Sequence, residues 1–410
     1  MTTNRTAIGR RLAVRGSAHR PPWGGRKAAH RSIVAPLAAS VAASLAVGVG
    51  MALARAERDR RAAGRRRAAE LQFALLPGEA PVLGLRRIAL GQLDLAIGLL
   101  GGGGDGTPPD ERAVHETRKA LKRLRALARV LRAQLGEERF ARENAALRDT
   151  GRRLAGARDA EVLVATLDGL LGRHPGKLGR RGGVARLREA LVAEREAATA
   201  QALGDAALRA EVIAELQAVR GRVMVWPLGN PAGIEALEPG LLRLYRQGRR
   251  RYLTAASSNG KRETAMHEWR KRVKDLRHAA EMLERREPGE RKRARRRGGG
   301  RGRAAAARRI RTLARRADRL AEALGEEHDL SLLAQRVRSQ GRRGGAGRSA
   351  SGGPRVGRRS RRVLLKQIAR RRRRLREATL RDGARLYRRG PRAFTRRLLR
   401  AHERASRGQG

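Results

Sequence analysis

The sequence predicts an all-α fold that contains an internal duplication, and three observations support this. Ala, Leu and Arg dominate the chain and favour helix, and we find no alternating Val/Ile/Tyr-rich runs typical of strands. Hydrophobic residues make up 40% of the chain, enough to build cores, although aromatic residues supply only 2%. A helical string near residue 114 recurs near residue 266. We therefore expect two related helical halves.

The recurring string repeats its polar and its apolar residues in one register. VHETRKALKRLRALARVL starts at Val114, and MHEWRKRVKDLRHAAEML starts at Met266. The six polar pairs are His115 and His267, Glu116 and Glu268, Arg118 and Arg270, Lys119 and Lys271, Lys122 and Lys274, and Arg125 and Arg277. A second pair of strings, Leu154 to Asp159 and Leu324 to Asp329, follows in the same order. A repeat that keeps both faces of a helix indicates duplication.

Composition and the repeat divide the chain into regions. Residues 1–69 form an Arg-rich N-terminal extension, and within it residues 33–54 are an uncharged, Ala-rich run that is a candidate membrane segment. We assign the two halves to residues 70–220 and 221–400, followed by a tail at residues 401–410. Gly101 to Pro109 (GGGGDGTPP) is predicted to be a linker before the first repeated helix. Two segments rich in Gly, Arg and Ser, 288–302 and 341–362, are predicted to be loops inserted between helices of the second half.

The net charge of +57 predicts a polyanionic partner such as nucleic acid, polyphosphate or anionic lipid. Charge alone names this class of partner without choosing among its members. The chain has no cysteine, which excludes disulfides, cysteine-ligated zinc and thiol catalysis.

A cationic stripe runs beside the apolar stripe on each repeated helix. At about 100° per residue, the members on the first helix are His115, Arg118, Lys122, Arg125, Arg129 and Arg132, and those on the second are His267, Arg270, Lys274 and Arg277. Lys119 and Lys271 lie at the margins. A single stripe in an Arg-rich chain is most simply a solvated helix face. Two stripes in the same register, each opening with His, favour an anion site.

The two strings closely resemble the His-initiated helices of the CHAD domain, the conserved histidine α-helical domain. Tyr245 to Arg250 resembles the connecting helix of that family, and Leu386 to Phe394 resembles its C-terminal end. The resemblance covers about residues 70–400. Where relatives often have Tyr after the second basic cluster, this chain has Asp275 and His278. Asp275 replaces Arg123 of the first half, and we expect both positions to face solvent.

The resemblance implies two pseudo-symmetric helical bundles with a basic channel between them. It implies binding of inorganic polyphosphate and a cytoplasmic location on polyphosphate granules. The implied polyphosphate-binding residues are His115, Arg118, Lys119, Lys122, Arg125, His267, Arg270, Lys271, Lys274 and Arg277. Some relatives carry a triphosphatase domain marked by E-x-E-x-K, and no such string is present here.

The sequence predicts no enzyme, no cofactor and no metal site, because P-loop, G-x-S-x-G and paired catalytic carboxylates are not found. His328 and Asp329 have the order of the His–Asp dyad of metal-dependent phosphohydrolases, but such a site needs further His and Asp ligands, which we cannot assign, so we discount it. We interpret Asp159 and Asp329 as helix caps or as partners of nearby arginines. Nonspecific nucleic-acid binding is the main alternative function, and a membrane-surface scaffold using residues 33–54 is another.

Overall fold

The computed structural model describes residues 73–76, 79–102, 109–154, 156–229, 233–258, 262–284, 301–342 and 356–406. None of the helices in these ranges is long and apolar enough to cross a membrane. The candidate membrane segment 33–54 lies outside the described residues.

The all-α prediction is confirmed, and the described residues contain no strand. The helices are α1 (Pro81–Leu100), α2 (Glu111–Val130), α3 (Glu137–Arg153), α4 (Gly156–Arg173), α5 (Gly182–Gly204), α6 (Ala206–Met224), α7 (Glu238–Ser257), α8 (Arg262–Leu283), α9 (Arg301–Arg342), α10 (Arg358–Leu386) and α11 (Pro391–Ser406). Short helical turns at Arg132–Leu135, Pro175–Gly179 and Ile234–Leu237 join some of them. The two repeated strings therefore form α2 and α8.

Side-chain caps begin two of these helices. The Asp110 carboxylate accepts a hydrogen bond from the Ala113 amide at 2.8 Å and caps α2. Asp205 accepts one from the Leu208 amide at 2.8 Å and caps α6. Each cap satisfies an amide that has no partner inside its own helix.

Two hydrophobic clusters form the core. The first joins α1, α2, α3, α6, α7, α8, α11 and the first part of α9, and the second joins α4, α5, α10 and the later part of α9. Helix α9 serves both because its 42 residues extend about 63 Å at ~1.5 Å per residue. Each cluster draws on both predicted halves of the chain. Two separate bundles that divide at residue 220 are therefore not confirmed.

The order of packing partners nevertheless repeats along the chain. Helix α1 packs on α2 and α6, and α7 packs on α8 and α11 in the same way. Helix α4 packs on α5, as α9 packs on α10. In the second half, the single helix α9 takes the place of α3 and α4. The interruption of the helix near residue 154, between α3 and α4, therefore has no counterpart in the second half. Helices α2 and α8 pack against each other at the centre of this arrangement.

The predicted Gly- and Arg-rich loops are shorter than expected at three boundaries. Helix α9 already begins at Arg301 and continues to Arg342, and α10 begins at Arg358. The predicted loops 288–302 and 341–362 were therefore wrong at these ends, where Arg favours helix. In the first half, α1 ends at Leu100 and α2 begins at Glu111, in agreement with the predicted linker 101–109.

Gly240 lets the start of α7 touch the end of α2. A Cβ atom at Gly240 would stand 1.9 Å from the backbone oxygen of Val130. A backbone carbonyl cannot rotate away as a side chain can, so we expect Gly240→Ala to destabilise the fold by about 2 kcal/mol. Denaturant unfolding measures this change. Gly221→Ala is the control, since nothing lies within 4 Å of its Cβ position, and we expect it to stabilise α6 slightly.

Candidate functional site

A cleft of about 470 Å³ lies between α2, α3 and α8, and we call it the central cleft. Most of its lining is cationic, with ten Arg and Lys residues and only two acids. The cations are Arg118, Lys122, Arg125, Arg129, Arg148, Arg152, Arg270, Lys271, Arg272 and Lys274, and the acids are Glu268 and Asp275. The two cationic stripes of the sequence therefore line one cavity.

Seven of the ten predicted binding residues line the central cleft: Arg118, Lys122, Arg125, His267, Arg270, Lys271 and Lys274. The other three lie elsewhere. His115 and Lys119 are half-buried on α2 outside the lining. Arg277 forms ion pairs at 2.7 Å with Glu281 and with Asp318, and it lines a neighbouring chamber.

Two cleft arginines hold the helices together as well as facing the cavity. The Nη1 atom of Arg118 donates to the backbone oxygens of Leu154 at 2.5 Å and Gly151 at 3.2 Å, so it fixes the end of α3 to α2. Arg270 lies 3.7 Å from the carboxylate of Asp329 and fixes α8 to α9. Gly325 leaves room for this guanidinium, because a Cβ there would lie 3.0 Å from its Nη2 atom.

Asp329 therefore acts as the partner of an arginine, which confirms one of the two predicted roles. The other role, a helix cap, is wrong for Asp329 because α9 continues without a break from Arg301 to Arg342. The equivalent residue Asp159 lies within α4, and its side chain is outside the described part of the structure.

Asp275 is buried in the wall of the cleft, although the sequence analysis expected it to face solvent. Its carboxylate lies 3.1 Å from the guanidinium of Arg129 and 3.1 Å from that of Arg272. Arg123 is also buried, over the ring of Phe73 at 4.5 Å. Both expectations were wrong because of contacts between elements that the pattern of a single helix does not reveal. Asp275 of α8 packs against α2, and Arg123 packs against Phe73 and against Gln92 of α1.

The cationic charge on the α2 side exceeds what Asp275 neutralises. Burial, and then the charges of Arg129, Arg148 and Arg272, lower the pKa of Arg125 to about 10, although Asp275 acts in the opposite direction. Burial also lowers the pKa of Arg129, with Arg272 and Arg132 acting in the same direction. A lowered arginine pKa marks a place where an additional positive charge is unfavourable. An anion bound here would reverse that effect.

The rings of His267 and His328 lie against each other beside the cleft, with centroids 4.3 Å apart and planes tilted by 37°. The Nδ1 atom of His267 is buried and has no hydrogen-bond partner among the described residues. Burial, and then His328, lower the pKa of His267 to about 4, and burial followed by Arg270 lowers the pKa of His328. The charged groups that act on the pair are Glu263, Glu268, Arg270, Lys271, Lys274 and Glu327. Both rings are therefore neutral near pH 7 in the free chain.

The neighbouring chamber has about 480 Å³ and a different charge balance. It shares Arg270 and Lys274 with the central cleft and adds Arg173 and Arg277. Its acids are Glu161, Glu322, Glu326 and Asp329. Four cations thus face four acids, so an anion is attracted to the central cleft rather than to this chamber.

The sequence analysis missed the contribution of α3. Arg148 and Arg152 of this helix line the cleft, and both form ion pairs with Asp149. The Nε atom of Arg148 lies 3.0 Å from Oδ1 of Asp149, and the Nη1 atom of Arg152 lies 3.1 Å from the same oxygen. They lie four residues apart on one helix face, and in an Arg-rich chain that spacing is too common to identify a site. Among the described residues, no group of acids and histidines could hold a metal ion.

Residues 105–297 match the family model of the CHAD domain. Both repeated helices and all lining residues of the central cleft fall within this range, whereas α9, α10 and α11 lie wholly beyond it. The match is narrower than the predicted resemblance over residues 70–400. A comparison with curated proteins found no match.

Proposed function

We propose that this chain, which carries a CHAD domain in residues 105–297, binds inorganic polyphosphate in the central cleft. The observation that carries the proposal is the meeting of both repeated cationic stripes in one cavity. Arg provides forked donors to phosphate oxygens, and Lys provides a mobile point charge. A flexible chain of phosphates can follow donors that come from three different helices.

The side chains of the cleft support polyphosphate over nucleic acid. Among the residues that the structure describes, no Trp, Tyr or Phe lines the central cleft. Proteins that bind single-stranded nucleic acid use aromatic rings as stacking platforms for the bases, and polyphosphate has no bases to stack. The buried aromatic residues Tyr245 and Trp269 lie in the first hydrophobic cluster instead. We therefore propose that the central cleft contacts phosphate groups and no bases.

The proposal includes no catalytic step and no cofactor. Ten of the described residues that line the cleft are Arg or Lys, which suits retention of a polyanion. We propose that the protein is a non-catalytic binder on cytoplasmic polyphosphate granules, where such a ligand is concentrated.

Competition binding tests the proposal. Labelled polyphosphate bound to the full chain would be challenged with single- and double-stranded nucleic acid at near-physiological salt, since affinity for any polyanion depends on salt. We expect that displacing the labelled polyphosphate takes a nucleic-acid concentration, counted in phosphates, that is orders of magnitude higher than the concentration of unlabelled polyphosphate with the same effect. Equal displacement by nucleic acid would contradict the proposal and favour the alternative function.

From the contact between His267 and His328 we predict that polyphosphate binding strengthens as the pH falls. A phosphate beside His267 and His328 would raise both pKa values from their lowered values in the free chain, so binding takes up protons. The association constant should then rise below the bound-state pKa values, by up to about tenfold per pH unit for each histidine. Titrations at constant ionic strength between about pH 8 and pH 5.5 measure this rise.

The control is the double variant His267→Gln, His328→Gln. Protonation of the ligand affects the wild type and the variant equally, so the difference between their slopes reports the histidines alone. Identical slopes would contradict the prediction.

A further inference from the structure

A third cavity, of about 330 Å³, lies between α9, α10 and α11, apart from the central cleft and the neighbouring chamber. We call it the arginine-rimmed cavity. Its lining residues fall between positions 308 and 401, beyond the part of the chain that matches the CHAD domain. The central cleft and this cavity share no lining residue. A function for it does not follow from the proposed site.

The floor of this cavity is apolar. It consists of Ile310 and Leu313 of α9, Leu386 of α10, and Phe394, Leu398 and Ala401 of α11. The Phe394 ring stacks on Tyr245 with centroids 3.7 Å apart. The Tyr245 hydroxyl donates to the backbone oxygens of Leu386 at 3.0 Å and Arg389 at 3.2 Å. These contacts fix the turn between α10 and α11, so the floor is preformed.

The rim of this cavity is cationic, with seven arginines and no acid in the described part of the chain. These are Arg308, Arg309, Arg316, Arg385, Arg388, Arg389 and Arg397, and all seven are exposed. Arg385 pairs with Asp382 at 3.5 Å. Within the described residues, the other six have no carboxylate partner. Elsewhere on α10 arginines are paired, as Arg371 is with Glu326 at 2.7 Å.

An apolar floor beneath a cationic rim selects a ligand that has both characters. A polyphosphate or a nucleic-acid backbone would use the arginines and leave the floor exposed to water. A neutral apolar molecule would use the floor and leave the charge of the rim without a partner. A volume of about 330 Å³ lies at the lower end of the range of small-molecule sites, which is about 300–1,000 Å³.

We propose that the arginine-rimmed cavity binds a single-chain amphipathic anion, an alkyl chain that ends in a phosphate or a carboxylate. The alkyl chain lies on the floor between Leu313 and Phe394, where its burial removes apolar surface from water. The head group lies at the rim, where Arg316 and Arg397 of α9 and α11 provide forked donors to its oxygens.

Isothermal titration calorimetry of the full chain with monomeric octyl phosphate tests this site. Polyphosphate is added first to occupy the central cleft, so that this result is separate from that of the proposed function. We expect octyl phosphate to bind at least tenfold more tightly than inorganic phosphate, with butyl phosphate between them. Octyl phosphate that binds no more tightly than inorganic phosphate would overturn the proposal.

Matched variants locate the binding. Arg316→Ser with Arg397→Ser should weaken octyl phosphate binding at least tenfold. Arg370→Ser with Arg373→Ser changes the charge equally on an exposed face of α10 that does not line the cavity, and should leave binding unchanged. All four residues are exposed, so the variants should fold, which circular dichroism would check. An equal loss in both double variants would overturn the proposal.

Sedimentation with vesicles separates the two sources of such a ligand. Vesicles of a neutral phospholipid with an added single-chain lipid phosphate present the head group in a membrane, whereas octyl phosphate presents it free in solution. Lower sedimentation of the Arg316→Ser, Arg397→Ser variant than of its matched control assigns the site to lipid in a membrane. Equal sedimentation, with octyl phosphate binding retained by the control alone, assigns it to a free ligand.

Discussion

Replacing Lys122, Lys271 and Lys274 by Ala should weaken polyphosphate binding on the order of 10³-fold. Each lost lysine removes a hydrogen bond to a charged group, which contributes about 1.5 kcal/mol, and a tenfold loss of affinity corresponds to about 1.4 kcal/mol. All three line the central cleft, and together they represent both repeated helices. The slope of log affinity against log salt should also fall by about 2 to 3, because each lost phosphate contact removes about 0.7 to 0.9. Titrations at several salt concentrations measure both quantities.

The lysines are preferable to the cleft arginines for this test. Arg118 holds the end of α3, and Arg270 holds α9 through Asp329, so their loss would also disturb the fold. The matched control replaces Lys366, Arg370 and Arg373, which are exposed on α10 and do not line the cleft. We expect the control to bind nearly as the wild type does. An equal loss in both variants would show that binding depends on net charge alone.

Replacing Asp275 by Asn should destabilise the fold by about 3 kcal/mol while it strengthens polyphosphate binding. The carboxylate is 7% exposed and pairs with Arg129 and Arg272, and removal of one partner of a buried ion pair typically costs about 3–5 kcal/mol. We use the lower end because both guanidinium groups keep some exposure. Affinity should rise because one of the two acids of the cleft is lost.

Denaturant unfolding with and without polyphosphate separates the two effects. The ligand should restore more stability to Asp275→Asn than it adds to the wild type, because it neutralises the same arginines. The control, Asp168→Asn, breaks an exposed pair with Arg188, outside the lining of the cleft, and should cost less than about 1 kcal/mol. A variant that loses stability without gaining affinity would contradict this assignment of Asp275.

The fold class and the pairing of the two stripes could be predicted from the sequence. Helical spacing placed Lys122 and Arg125 on one face of α2, and the constant offset placed Lys274 on the same face of α8. The resemblance to the CHAD domain then implied that the two faces line one basic channel. The structure brings these residues together in the central cleft.

The role of each charged residue depended on contacts between helices, which sequence spacing does not show. Arg277 keeps its place in the stripe, but Asp318 of α9 neutralises it. Asp275 looked like a break in the cationic pattern and proved to be a buried partner of Arg129. In the register that aligns Leu154 with Leu324, Arg152 of α3 corresponds to Glu322 of α9, so the repeat does not mark Arg152 as a cationic position.

The central claim is that α2 and α8 together hold polyphosphate, and a crystal structure of the chain with a short linear polyphosphate tests it most directly. The account predicts phosphates within hydrogen-bonding distance of Lys122 and Arg125 on one side and of Lys271 and Lys274 on the other. Phosphates bound to other basic surfaces, with the central cleft unoccupied at saturating ligand, would contradict it.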